Sequence, residues 1–197
     1  MAEMYFELAP IPASDLPLDA AKSHLLLGST FEDAAVQEPV LAGFLRAAIT
    51  VIERRLSLVM LQRQFGYDAF ESPETQMLSL PLWPVKQLLS VSLHMAHNVR
   101  HLPKEGFNLH LEKGRAQVHG CFPKLLNGGF CRISIMAGQY VNWAGIPADL
   151  QQAVLLLCSH YYENRDESGL AQSSMPFGIL SLLEPHKRPR LRAGRLL

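Results

Sequence analysis

Residues 40–68 read VLAGFLRAAITVIERRLSLVMLQRQFGYD, and a change of period inside this stretch decides the fold. Up to Ile52 the apolar side chains Val40, Leu41, Phe44, Leu45, Ala48, Ile49 and Ile52 recur every three or four positions, with Arg46, Glu53, Arg54 and Arg55 off that stripe. That is the period of an amphipathic helix with one face against a core. From Leu58 the spacing drops to two, because Val59, Leu61, Phe65 and Tyr67 alternate with Gln62, Gln64 and Asp68, as in a half-buried strand. Pro39, behind Glu38, suits a first helical turn, where the missing N–H costs nothing. The helix is therefore expected to start there and run for about sixteen residues, after a looser turn over residues 31–38.

On the amino-terminal side, residues 1–13 read as an extended arm, and Ser14-Asp15 offers a cap for a short helix through Leu16, Ala20, Ala21 and Leu25 that Gly28 ends. On the carboxyl-terminal side, short strands are expected at Met77–Leu80 and Leu88–Met95, at Phe107–Leu111 and Ala116–Phe122 around Lys113-Gly114, and at Phe130–Met136. Pro147 then opens a second helix with the stripe Leu150, Val154, Leu157, Cys158 and Tyr161, running to about Arg165. Beyond Gly169 the pattern turns irregular, and Lys187, Arg188, Arg190, Arg192 and Arg195 stand without an acid among them. The expected fold is α+β, mainly α: amphipathic helices packed with a small antiparallel sheet, plus an extended basic carboxyl-terminal tail. Its expected parts are the arm at 1–13, a core domain at 14–175 and the tail at 176–197.

With 197 residues and 22.0 kDa the chain suffices for one domain or two small ones. Charged residues make up only 18%, against a usual ~25%, so part of the surface is expected to meet a partner. Eighteen bases balance eighteen acids, yet the first 184 residues hold thirteen of those bases and all the acids, a formal charge of −5. Body and tail thus have opposite signs, and any contact with nucleic acid must be local. Three cysteines without a Cys-x-x-Cys pair point to a reducing compartment. MAEMYFELAPIP, with two acids and no base, is neither a signal nor a transit peptide in type, and the absence of a long apolar run predicts a soluble protein with no membrane partner.

Candidate chemistry is thin. His94, His97 and His101 have metal-ligand spacing only if they lie on a helix, and Asn98, Pro103 and Gly106 make a loop the expected setting. His119 with Cys121 and Cys131 could supply a softer metal site, but the cysteines alternate with apolar residues on strands, as buried core thiols do. Gly128-Gly129 lacks the downstream Lys-Ser/Thr of a phosphate cradle, no serine sits in a nucleophile elbow, and Asp166-Glu167 beside Arg165 read as a solvated helix end. No catalytic residue, metal or cofactor is predicted.

The ordered set of segments resembles the head-tail connector (adaptor) proteins of long-tailed bacteriophages and gene transfer agents. LPLDAAKSHLLL (16–27) is similar to the family's opening helix, and LAGFLRAAITVIERRL (41–56) to its second helix with two alanines and then Glu-Arg. LSLPLWPVKQLLSVSL (78–93) is similar to its Pro-Val turn between strands. ISIMAGQYVNWAGIPADLQQAVLLLCSHYYENRDE (133–167) resembles its glycine turn and closing helix, and MPFGILSLLEPHKR (175–188) its Pro-x-Gly, Leu-Leu, basic terminus. The resemblance runs from about residue 14 to 190, while Gln64–Pro73 and Asn98–Phe122 depart from it.

The resemblance implies a structural, non-enzymatic protein that forms a ring, usually dodecameric, under the portal of a capsid and receives a stopper or tail-completion protein. It implies assembly in the bacterial cytoplasm, a place in the virion neck, and passage of genomic DNA through the lumen without sequence-specific binding. The family's terminal segment engages the portal, so Leu182, Leu183, Lys187, Arg188 and Arg190 are the implied portal contacts, with Arg192 and Arg195 as extensions. A cationic segment with interleaved leucines would gain order on such a partner. The competing expectation is a small nucleic-acid-binding module that uses the same basic tail, and a metal-dependent enzyme on the histidine loop stands third.

Overall fold

Alternating apolar residues pair into sheets here, and the alternation is strictest at Phe130–Ala137, where every second side chain (Cys131, Ile133, Ile135, Ala137) is buried. The computed structural model describes residues 4–26, 31–71, 76–95, 98–112, 114–125, 128–164 and 175–187. Its chain divides into two compact units, Met1–Asp15 with Leu58–Gly145, and Leu16–Ser57 with Ile146–Leu197.

The first unit is built of strands β1 (Met4–Glu7), β2 (Arg63–Ala69), β3 (Met77–Leu80), β4 (Val85–Met95), β5 (Asn98–Leu102), β6 (Phe107–Glu112), β7 (Arg115–Gly120) and β8 (Phe130–Ala137). They form a five-stranded sheet in the order β1-β2-β8-β4-β5 and a three-stranded sheet in the order β3-β7-β6, with every pairing antiparallel. One core takes side chains from both: Phe65, Tyr67, Val91, Ile133 and Ile135 from the larger sheet, Leu80, Phe107, Ala116 and Val118 from the smaller. The two sheets therefore close on each other as a sandwich, the solution for faces that are apolar on one side. Residues 59–62 and 138–140 lie side by side at one end, through Gln62 N–H to Tyr140 O (2.9 Å) and Tyr140 N–H to Met60 O (2.8 Å).

The second unit holds helices α1 (Leu18–His24), α2 (Phe31–Leu56), α3 (Ala148–Glu163) and α4 (Phe177–Leu183). Leu41, Leu45, Ala48, Ile49, Ile52 and Leu56 of α2 and Leu150, Ala153, Val154, Leu157 and Cys158 of α3 are buried, and α3 packs against α1, α2 and α4. Phe44 meets Tyr162 edge to face, with ring centroids 6.2 Å apart.

Four expectations need correction. The fold is not mainly α, because the described residues hold eight strands against four α-helices, and the single small sheet is two. Helix α2 begins at Phe31 with Pro39 inside it, so the proline is not its first residue. Packing of the apolar stripe outweighs the hydrogen bond that Pro39 forgoes, and a Lys22–Glu38 ion pair ties that turn to α1. Asn98–Leu102 is a strand paired with β4, not a loop. Its residues are mostly exposed, which removes the two-residue signal that a half-buried strand would carry. Finally, the segment read as an extended tail contains α4, whose first turn follows Pro176 as a helix start permits.

Candidate assembly surface

The carboxyl-terminal segment is rooted in the helical unit. Ile179 and Leu183, four apart on α4, are buried, and Leu182 between them is half-buried. Leu183 thus holds α4 down in the helical unit. After α4 the 3-10 turn Glu184–His186 brings the His186 ring back to the start of α3, with Nε2 2.6 Å from Asp149 Oδ2. Asp149 also accepts the Leu150 N–H at 2.8 Å on Oδ1, and it sits in the first turn of α3, where the helix dipole favours an anion. The hydrogen bond from His186, more than any other cause, holds the Asp149 carboxyl below the usual carboxylate range. Lys187 is exposed and pairs with Glu184. Arg188, Arg190, Arg192 and Arg195 lie outside the described residues. Leu182, Leu183 and Lys187 are therefore brought together on one short segment, and the acid that fastens it, Asp149, is 37 positions away from His186. That separation leaves no sequence signal.

The sheet unit offers a different surface on the face of the larger sheet away from its core. Asp68, Arg132, Ser92 and His101 are consecutive cross-strand partners there, on β2, β8, β4 and β5. Arg132 donates through Nε and Nη2 to the two carboxylate oxygens of Asp68, both at 2.7 Å, a bidentate pair. Its guanidinium lies over the rings of Phe6 (4.9 Å) and Phe130 (5.2 Å). Phe6 in turn covers Gly66, where a Cβ would stand 2.6 Å from the ring, so glycine is what lets the aromatic lie flat. The next row along the sheet is largely aromatic: Phe70, Phe130 and His94, followed by Val99. The Phe70 and Phe130 rings are 5.6 Å apart, His94 stacks on Phe130 at 4.7 Å, and His94 faces Val99 in the register. Phe70 is 54% and Val99 49% exposed. An aromatic row beside a fixed ion pair is the composition of a protein-binding patch.

Among the described residues the metal readings find no geometric support. His94 is on β4, where Ser92 Oγ lies 3.0 Å from its Nε2, and burial, then the nearby Arg132 charge, lowers its pKa. His101 is on β5, and His97 lies outside the described residues. Cys131 is buried in the core and Cys121 is exposed, while His119 packs on His110 with centroids 4.2 Å apart. Among the described residues no three His, Cys, Asp or Glu side chains gather as a metal site, and no helix is long and apolar enough to cross a membrane. Residues 165–167 fall outside the described residues.

No family model and no curated protein matches the chain. Solved structures do. The chain is similar to a component of the neck of an empty gene transfer agent particle computed with C6 symmetry, at 31% identity and a TM-score of 0.75, over 98% of this chain and 99% of that one. A chain of the native gene transfer agent virion matches at 31% identity and a TM-score of 0.73, over 98% and 99%. The neck of the native particle computed with C12 symmetry matches at 28% and 0.68, again over 98% and 99%. Likeness across both units, at this identity and to components of assembled particles, defines a virion structural protein. The chain belongs to the head-tail connector proteins of phages and gene transfer agents, whose place is the virion neck.

Proposed function

We propose that the protein closes into a ring of twelve copies beneath the portal of a phage or gene transfer agent capsid and joins it to a stopper or tail-completion protein. One observation carries this reading: full-length neighbours at 31% and 28% identity come from necks computed with C6 and C12 symmetry. A ring of one chain needs a head-to-tail contact that closes, burying more than ~1,000 Å² at each junction. The low charged fraction of 18% suits such burial. Assembly takes place in the bacterial cytoplasm, and the chemistry is association, with no catalytic residue or cofactor assigned.

The portal contact is the segment beginning at α4. Ile179, Leu183 and the Asp149–His186 pair anchor it, and Leu182, Lys187, Arg188, Arg190, Arg192 and Arg195 supply the apolar and cationic groups offered to the portal. The formal charge of −5 on the first 184 residues suits a lumen along which DNA slides, since phosphates would bind a basic wall. Native mass and negative-stain images, over a roughly hundredfold concentration range and with and without portal protein, test the reading. Full-length protein is expected as closed rings, alone or on the portal, and truncation after Lys187 is expected to keep the ring and lose portal binding. A monomer that ignores the portal and binds duplex DNA through its carboxyl-terminal segment would return the nucleic-acid-binding alternative.

A further inference from the structure

The five-stranded sheet ends in β1 on one side and β5 on the other, so along each of these strands one row of backbone N–H and C=O groups has no strand beside it among the described residues. Such edges are usually blunted by proline, by an inward charge or by a covering element. Strand β5, Asn98-Val99-Arg100-His101-Leu102, contains no proline, and its first four residues are exposed. The aromatic row Phe70–Phe130–His94 reaches this edge and stops at half-exposed Val99, where a further strand would continue it.

The opposite edge is the complement. Strand β1, Met4-Tyr5-Phe6-Glu7, carries an acid and no base, where β5 carries Arg100 and His101 and no acid. Tyr5 is 43% exposed, and Glu7, whose Oε1 is shared with Arg63, remains partly accessible. Because both edges belong to one sheet, joining β1 of one copy to β5 of the next uses two different patches, the head-to-tail geometry that closes a ring.

We infer that β1 of each copy adds to β5 of its neighbour, so that the five-stranded sheets run edge to edge around the ring. This rests on the ring reading above. The test is disulfide trapping in assembled rings of full-length protein, in a Cys121→Ser background that removes the exposed thiol. Tyr5→Cys is paired in turn with Val99→Cys, Arg100→Cys and His101→Cys, and with Leu111→Cys on the free edge of the smaller sheet as the control. At least one β5 pair is expected to give a ladder of covalent oligomers ending at the ring number, with Leu111→Cys giving none. Rings without a β5 ladder, or with an equal Leu111 ladder, would overturn the edge assignment and leave the connector reading standing. Failure to form rings, alone or with portal, would remove both. As a second measurement, Val99→Lys with Arg100→Glu is expected to raise the concentration needed for half-assembly at least ~10-fold while the subunit's melting temperature stays near that of the parent. An unchanged assembly curve would also reject the pairing.

Discussion

Gly138 occupies a place no other residue can fill without strain. Its φ is +136°, a Cβ there would stand 2.5 Å from the Gln62 backbone, and its N–H donates to Pro84 O at 2.9 Å. Gly138→Ala is expected to cost about 2–4 kcal/mol in urea unfolding, from a disfavoured φ and a backbone clash that cannot relax. The thiols divide as sharply. Burial pushes Cys158 up to about 12 and Cys131 up to about 11, whereas Cys121 is exposed. Intact-mass measurement after maleimide treatment of folded protein at neutral pH is expected to find one adduct, on Cys121, with the other two appearing only on unfolding. Asp149 has a definite pH signature. Its carboxyl is held low in the folded state, chiefly by the His186 hydrogen bond, so its contribution is complete above the ordinary carboxylate value of ~3.9 and is lost as pH falls through the lower folded value. In an NMR titration, His186→Ala is expected to move the Asp149 midpoint upward, and an unmoved midpoint would mean that the pair does not form in solution.

Two helices carry testable consequences of their own. Leu183 is 0% exposed under α4, so Leu183→Ala is expected to cost about 2–5 kcal/mol, and Leu182→Ala, on the half-buried side, clearly less. Pro39 lies on the exposed side of α2 and lacks a helical donor, so Pro39→Ala is expected to stabilise the protein by about 1–2 kcal/mol in thermal unfolding. The same elements mark how far the sequence could be read. Helix α3 and strands β3, β4 and β6–β8 were legible because Leu150, Val154 and Leu157, or Cys131, Ile133 and Ile135, each bury one face at a regular period. Strand β5 was not, since Val99 and His101 point to solvent on one face and Arg100 is exposed on the other. Helix α4 was hidden by its seven residues, a glycine at 178 and prolines at 176 and 185, and only its docking on α3 makes so short a helix stable. Strands that are short or exposed on both faces carry little two-residue signal, whereas the long helix stripes are plain, so the sequence looks mainly α. The candidate surface was half legible: the Leu-Leu-basic run is visible as sequence, whereas the Phe6–Arg132–Phe130–His94 stack depends on four strands coming into register.

At the scale of the whole molecule, a formal charge of zero conceals −5 on the first 184 residues and five cations after them. The portal contact proposed for that segment is therefore expected to weaken steeply between about 0.05 and 0.3 M salt, as the screening length contracts, and a flat response would assign the contact to the leucines instead. The division of the chain also reaches back to its synthesis. The helical unit opens at Leu16, breaks off at Ser57 and resumes only at Ile146. On a ribosome adding ~5–20 residues per second, the roughly 90 residues in between take about 5–20 s. For that time α2 has been made and α3 has not, so Leu45, Ile49 and Ile52 lack the helix that buries them, and only at its end does the sheet unit have all its strands. Released fragments ending at Gly145 are expected to hold a protease-resistant sheet unit beside a cleavable segment 31–56. During translation a neck protein of this design would thus offer a holding chaperone one defined apolar helix.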